Sequence, residues 1–152
     1  MNMTWQYLDK KNGTIKALKD YPDMLHILET SGRTLEEAAD TMLSLGNSRP
    51  SGTPRLHNPK SGESRIIHCI ETLDIVEERY KLAVEFMAWF KPAWDQLTKD
   101  DRYILDEFFL ANDGNPSSAA DNICEKLHIE RTWAYKRKNY ALERLSRLLF
   151  GI

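Results

Sequence analysis

The sequence is poor in the residues that mark several protein classes. Its 152 residues include two cysteines, Cys69 and Cys124, which form neither a disulfide framework nor a CxxC pair. The four histidines show no ligand spacing, so we expect no metal and no cofactor. No apolar stretch approaches the ~20 residues that span a bilayer, and the N-terminal stretch lacks the apolar run of a secretory signal. These absences predict a cytoplasmic chain without a membrane segment.

Valine is also scarce, with two residues against 18 leucines and 11 alanines. Because β-branched residues favour strands whereas leucine and alanine favour helices, the composition predicts an all-α fold. The hydrophobic share of 41% and the charged share of 29% are typical of a globular chain rather than a disordered one. The sequence has no glycine-rich phosphate loop, nucleophile elbow or metal motif, so it does not predict an enzyme.

Proline and glycine divide the N-terminal region, residues 1–45. Gly13, Pro22 and Gly32 predict two or three short helices there, because proline and glycine both interrupt helices. Thr34 precedes Glu37 by three residues, which is the spacing of a capping box. One of the short helices is therefore expected to begin at about residue 35.

Residues 46–65 have the composition of a flexible linker. They hold three of the six prolines and three of the seven glycines of the chain. The segment also carries four basic residues, Arg49, Arg55, Lys60 and Arg65, against one acidic residue. We favour a solvated tether, and a basic arm that contacts nucleic-acid phosphates is the alternative.

A long helix is predicted over residues 66–97. Alternate steps of three and four residues meet an unbroken apolar or aromatic seam: Ile66, Cys69, Leu73, Val76, Tyr80, Ala83, Met87, Phe90, Trp94 and Leu97. Further apolar residues broaden the seam, which predicts burial by several neighbours and possible pairing with a second copy of the chain. Trp89, Phe90 and Trp94 are expected to pack rather than bind a ligand, and Pro92 predicts a kink or break.

Charge is strongly polarised at the C-terminal end, although the formal net charge of the chain is only -2. Residues 131–147 hold six basic residues and one acidic residue, whereas residues 98–130 hold three basic and eight acidic residues. A uniformly basic nucleic-acid binder is therefore excluded, and any nucleic-acid surface has to be local.

The C-terminal region, residues 98–152, has the helix start signals and the short break of a helix-turn-helix. Thr98 has the capping spacing with Asp101, and Asn115 followed by Pro116 predicts the start of a helix that runs to about residue 127. A three-residue break then precedes a basic helix over residues 131–150. Both cysteines fall at positions that we expect to be buried.

The spacing along these two helices separates a core from a candidate DNA-binding face. Seven apolar residues are expected to share one small core: Ile123, Leu127, Ile129, Ala134, Ala141, Leu145 and Leu148. The candidate DNA-binding residues are the polar and basic residues of the first half of the last helix: Arg131, Thr132, Tyr135, Lys136, Arg137, Lys138 and Asn139. Their donors suit base edges and phosphates. Trp133 and Tyr140 are expected to pack.

The run AADNICEKLHIERTWAYKRKNYALERLSRLLFG resembles the helix-turn-helix of bacterial sigma-factor region 4. With its long upstream helix, the whole chain resembles the ArpU/RinA-like family of phage late-gene transcriptional regulators. The resemblance implies a recognition helix in the major groove of double-stranded DNA, with Arg131, Thr132, Tyr135, Lys136 and Asn139 as recognition positions. It also implies contact with RNA polymerase.

Three functions therefore compete. A sequence-specific transcriptional regulator, probing DNA with its last helix, is the leading interpretation. A DNA-recognition subunit for phage genome packaging, resembling a small terminase, combines the same elements and would assemble into a ring. A helical protein-interaction module would instead pair its long apolar helix with a partner protein.

Overall fold

The computed structural model describes residues 9–46, 59–112 and 115–151. The regular elements in these ranges are all helical, which confirms the predicted all-α fold. They are α1 (Lys10–Gly46), α2 (Pro59–Asp95), α3 (Lys99–Leu105), a π-helical segment (Asp106–Ala111) that continues α3, α4 (Pro116–Leu127) and α5 (Arg131–Phe150). Within the same ranges, no helix has the length and apolar character needed to cross a membrane.

The chain divides into two compact units. The first unit comprises Met1–Asp23 and Phe86–Ile152, and the second unit comprises Met24–Glu85. Helices α1 and α2 each contribute residues to both units. The predicted DNA-binding helix and its neighbours belong to the first unit.

The prediction of short N-terminal helices is wrong, because α1 is one helix of 37 residues that includes Pro22. An interior proline costs a helix about 3 kcal/mol, and packing on the preceding turn opposes that cost. Leu18 is fully buried, and the ring of Tyr21 lies 4.9 Å from that of Phe90 and 5.8 Å from that of Trp94. Tertiary contacts therefore outweigh the local signal of the proline.

The predicted capping box at Thr34 is also wrong. Thr34 lies inside α1, and its hydroxyl donates a hydrogen bond to the carbonyl of Thr30 at 3.1 Å. Thr30 in turn donates to the carbonyl of His26 at 2.8 Å. Threonine can satisfy its hydroxyl either as a cap or by bonding back to the preceding turn, so the sequence spacing alone did not distinguish the two.

Helix α2 begins earlier than the sequence predicted. Its first residue is Pro59. Proline suits the first helical position because a backbone N–H at that position would have no partner within the helix, so nothing is lost by its absence. The predicted linker over residues 46–65 is therefore helical from residue 59 onward, and residues 47–58 lie outside the described residues. The break expected at Pro92 does not occur, since α2 continues to Asp95. The side chains of Ala93 and Trp94, which follow the proline, are buried and favour this continuation.

The core of the first unit is centred on Phe90, which is fully buried. Its ring lies 5.3 Å from that of Phe86 and 5.9 Å from that of Trp94, with both pairs stacked. Trp89 remains 40% exposed, but its indole N–H donates to the carbonyl of Leu149 at 3.1 Å. The predicted packing role is confirmed for Phe90 and Trp94. Trp89 packs only in part, and its hydrogen bond joins α2 to α5.

The second unit has a much thinner core. Its buried residues among those described are Ser31 and Ala83, both of them small. Large apolar side chains of α2 are instead exposed to between 38% and 57%: Ile66, Ile67, Ile70, Ile75, Tyr80, Leu82 and Val84. Cys69 in this unit is half-buried, as is Cys124 in the first unit, so the expectation of full burial was wrong for both.

Candidate nucleic-acid interface

Two asparagines and a glutamate tie the π-helical segment to α4. The Oε2 atom of Glu107 accepts a hydrogen bond from Nδ2 of Asn112 at 2.6 Å and from Nδ2 of Asn122 at 3.3 Å. Burial and the nearby Glu107 carboxylate, which the phenol faces within hydrogen-bonding reach, raise the pKa of Tyr103 above its ordinary value. A wider π-type turn places Phe108 inside the core beside α4 and α5.

The caps of α3 and α4 confirm the sequence predictions. Thr98 accepts a hydrogen bond from the amide of Asp101 at 3.2 Å, and Asn115 accepts one from the amide of Ser118 at 3.2 Å. Pro116 occupies the first position of α4 as expected. The helical run that begins at α3 ends before Asn112.

A three-residue turn joins α4 to α5, as predicted. It begins at His128, which adopts the left-handed conformation with φ 54° and ψ 45°. That conformation closes the end of α4 and redirects the chain, a role that glycine usually fills. At the far end of α5, Gly151 has φ 76° and its amide donates to the carbonyl of Arg147 at 2.9 Å.

The core around the turn differs in part from the predicted one. Ile123 and Ala134 are fully buried with Ile104 and Phe108 in one cluster, whereas Ala141 and Leu145 belong to a second cluster. Leu148 is 43% exposed, so its predicted place in the core is wrong. Ala141, Leu145 and Leu149 are spaced by four residues and define the buried stripe of α5, which leaves Leu148 on its flank.

Three of the predicted DNA-binding residues share an open face of α5. Thr132, Lys136 and Asn139 are exposed, and their spacing of four and then three residues places them on one side of the helix. This set is called the open face below. It lies on the first half of α5, directly after the turn.

Arg131 is exposed but has partners on α4. Its Nη1 atom lies 2.7 Å from Oδ1 of Asp121, and its Nη2 atom donates to the hydroxyl of Ser117. One guanidinium therefore joins the start of α5 to the first half of α4. The sequence pattern did not predict these partners.

Tyr135 and Arg137 are half-buried and contact neighbouring elements. The ring of Tyr135 lies 5.4 Å from that of Phe108. An Nη atom of Arg137 lies 3.9 Å from a carboxylate oxygen of Asp100 and 3.9 Å from one of Asp101, both in the first turn of α3. These two side chains therefore support α5 from its flanks.

Lys138 is also half-buried, with its ammonium 5.0 Å from the ring centroid of Phe108 and 5.3 Å from that of Tyr135. Burial lowers the pKa of Lys138, and the charge of nearby Lys11 lowers it further. Contact with two aromatic faces favours the charged ammonium and so opposes this lowering.

The predicted packing of Trp133 and Tyr140 is wrong. Trp133 is 52% exposed and Tyr140 is 63% exposed. Each precedes a buried alanine by one residue, and neighbouring helical residues point about 100° apart. The ammonium of Lys136 lies 5.0 Å from the ring centroid of Trp133. The solvent side of α5 therefore combines aromatic and basic groups.

Residues from the N-terminal helix also border the open face, which the sequence gave no means to predict. Lys10 and Lys11 of α1 line a pocket of about 390 Å³ together with Asn139, Leu142, Glu143 and Ser146 of α5. More than 120 positions separate the two sides in sequence, and helical periodicity reports only on neighbours within one helix.

Among the described residues, no group of three or more histidine, cysteine, aspartate or glutamate side chains is placed to hold a metal ion. No protein-family model, curated protein or solved structure matches the chain.

Proposed function

We propose that the chain is a sequence-specific DNA-binding transcriptional regulator, a late-gene activator of a phage or prophage, which inserts α5 into the major groove of double-stranded DNA. The observation that carries this proposal is the short turn between α4 and α5, which leaves the open face exposed on the helix that follows. Helix-turn-helix proteins read DNA with the first turns of such a second helix. The function needs no catalytic residue or cofactor, and it assigns the protein to the cytoplasm of a bacterial host.

The open face has suitable chemistry for base recognition. The ammonium of Lys136 can donate to guanine edges or phosphates, the amide of Asn139 can pair with adenine, and the hydroxyl of Thr132 can contact either bases or backbone. The dipole of α5 adds partial positive charge at its first turn, which favours a phosphate there.

The remaining predicted site residues have a supporting part in this proposal. Arg131 fixes the start of α5 against α4 while its exposed edge faces solvent. Tyr135, Arg137 and Lys138 are half-buried, so they brace α5 rather than reach into the groove. The two basic side chains among them also supply positive potential. Removing Arg131 would disturb both helix position and charge, which makes it a poor first choice for testing DNA contact.

The direct test is selection of a random-sequence duplex DNA library at physiological salt, followed by sequencing of the bound fraction. We expect the wild-type chain to enrich one motif and the Lys136→Ala/Asn139→Ala variant to lose it. Lys81→Ala removes the same net charge from the second unit and should enrich the wild-type motif. Failure of the wild-type chain to enrich any motif would contradict the function, and enrichment by the double variant would contradict the assigned face.

Contact with RNA polymerase is the second part of the proposal, and the exposed aromatics of α5 favour it. Trp133 and Tyr140 offer large apolar surfaces of the kind that dominate protein interfaces. A Trp133→Ala/Tyr140→Ala variant should keep its affinity for the enriched DNA site but lose activation in a reconstituted transcription assay. Loss of DNA affinity in this variant would assign the two aromatics to DNA instead.

We also propose that the protein is a homodimer through α2. The seven exposed apolar side chains between Ile66 and Val84 favour this, because a monomer gains nothing from displaying them to water. A two-fold pair of helix-turn-helix units would read paired half-sites.

Sedimentation velocity over a range of concentrations tests the dimer. We expect a dimer for the wild-type chain and a monomer for Ile75→Lys/Leu82→Lys, whose two positions lie seven residues apart on α2. Ser44→Lys/Gln96→Lys adds two lysines at exposed polar positions and should remain dimeric. A wild-type monomer at every concentration would contradict the dimer, and a closed ring would favour the packaging-subunit alternative.

A further inference from the structure

Two lysines of α1 lie beside the open face of α5 although they are far from it in sequence. Lys10 and Lys11 form one wall of the pocket whose other wall contains Asn139 and Ser146, with Leu142 between them. Lys11 also lies close enough to Lys138 for the two positive charges to interact. The first unit therefore collects basic groups from both ends of the chain.

Packing fixes the first turns of α1 against the end of α5. A Cβ atom on Gly13 would lie 3.2 Å from Cζ of Phe150, so the ring of Phe150 packs closely on the backbone of α1 at this point. Thr14 is fully buried, and its hydroxyl donates to the carbonyl of Lys10 at 2.7 Å. Ala17 and Leu18 continue the contact into the core of the first unit. The positions of the two lysines are consequently set by the fold.

The location of the lysines is electrostatically unfavourable for α1 itself. They begin the helix, where the dipole already provides positive charge, and the first turn contains no acidic residue. Asp9 precedes the helix, and its carboxylate is occupied by the backbone amide of Asn12 at 3.1 Å and by the Asn12 side chain. Local conflicts of this type are expected where a sequence serves function rather than stability.

Charges on the pocket walls favour an anion. Among the residues that the structure describes, neither lysine makes an ion pair, whereas Lys16 and Lys81 pair with carboxylates four residues away on their own helices. Glu143 also lines the pocket, but its carboxylate lies 2.7 Å from Nη2 of Arg147. The carboxylate of this pocket-lining residue is therefore already paired with a basic side chain.

We infer that Lys10 and Lys11 bind phosphates of the same DNA duplex that the open face contacts, so that the start of α1 extends the DNA-binding surface of α5. This inference rests on the proposed function. Phosphate contacts of this type position a protein on the duplex, while base contacts supply its specificity. The N-terminal helix thus has a part in DNA binding that the sequence did not predict.

The test is the salt dependence of affinity for a 30-base-pair duplex of random sequence, measured by fluorescence anisotropy on the full chain. Each phosphate contact contributes about 0.9 to the slope of log affinity against log salt, so Lys10→Gln/Lys11→Gln should lower that slope by roughly 2. Lys16→Gln/Lys81→Gln removes the same charge from lysines that are already paired and should leave the slope within about 0.5 of wild type.

Three outcomes separate the inference from the function on which it rests. A lower slope for the Lys10/Lys11 variant alone supports the inference. A wild-type chain that binds the duplex while both variants keep its slope overturns the inference and leaves the function standing. A wild-type chain that binds no duplex at low salt overturns both.

Thermal unfolding checks that the variants remain folded. Lys10→Gln/Lys11→Gln should melt no lower than wild type because it removes positive charge from a helix N-terminus.

Discussion

The two units of this protein use apolar residues in opposite ways. The first unit has a core of large apolar side chains, in which Phe90, Leu18 and Ile104 are fully buried. In the second unit, the buried residues are Ser31 and Ala83, while isoleucines and Leu82 of α2 are exposed. The first unit therefore has a core of its own. The second unit instead exposes large apolar side chains of α2.

Under the proposed function, this difference separates two tasks along the chain. A helix that presents base-reading groups has to be held rigidly, because small displacements of the reading residues change which bases they reach. The first unit provides that support through its aromatic core and its capped helices. An apolar surface on the second unit is suited to self-association, which would set the spacing between two reading helices.

The largest expected difference between the units is in core substitutions. Phe90→Ala should lower the free energy of unfolding by about 3–5 kcal/mol, because it leaves a cavity among aromatic rings. Ile75→Ala on α2 should change it by less than about 0.5 kcal/mol at concentrations where the chain is monomeric. Urea denaturation measures both. A cost for Ile75→Ala as large as that for Phe90→Ala would show that the second unit has a core of its own.

Helix caps provide the next test. Asn115→Ala should cost about 1 kcal/mol, since it removes the acceptor for the amide of Ser118 at the start of α4. Thr34→Ala should be neutral or stabilising by up to about 0.5 kcal/mol, because Thr34 lies inside α1 and alanine is the better helix former. Thermal unfolding of the two variants side by side decides this. Equal losses would restore a capping role for Thr34.

Ion pairs should matter less for stability than for binding. Asp121→Asn weakens the contact of Arg131 with α4, and Glu77→Gln breaks the pair with Lys81 in the second unit. Each should change the free energy of unfolding by no more than about 1 kcal/mol, because both pairs are solvent-exposed. Only Asp121→Asn should change DNA affinity in an anisotropy titration. A matching change in affinity for Glu77→Gln would contradict the assignment of DNA binding to the first unit.

The smallest expected effect concerns Lys138. Its folded-state pKa lies below the ordinary value of 10.5, so the charged form is disfavoured by folding. Between these two pKa values the unfolded chain binds more protons than the folded chain, and stability therefore rises with pH. Lys138→Met should melt slightly higher than wild type at pH 7, with the gap narrowing toward pH 10. A lower melting temperature at pH 7 would show that the ammonium stabilises the fold.

The sequence predicted the C-terminal half of the fold well, because its signals there are local. Thr98, Asn115 and Pro116 act within one turn of their own positions, and the three-residue break at His128 is visible as an interruption between two periodic stretches. Leu148 was misplaced because a broad apolar stripe leaves the edge of a helix face ambiguous. Trp133 and Tyr140 were misplaced because aromatic residues are buried more often than they are exposed.

The remaining features depend on contacts between distant parts of the chain. Pro22 marks a helix end by every local rule, and only the packing of Leu18 and Tyr21 explains why α1 continues. Similarly, Lys10 and Lys11 have no sequence relation to Asn139, and Arg131 has none to Asp121. The candidate site residues could thus be predicted from the sequence. Which of them are exposed, which are ion-paired and which are half-buried could not.

The proposed function requires that the open face of α5 distinguish one DNA sequence from another. The most direct measurement is the ratio of dissociation constants for the enriched duplex and a shuffled duplex, at one physiological salt concentration. We expect the wild-type chain to prefer the enriched duplex by about 10³-fold or more and Lys136→Ala/Asn139→Ala to lose most of that preference while keeping weak binding to both. Equal affinity of the wild-type chain for the two duplexes would contradict the account.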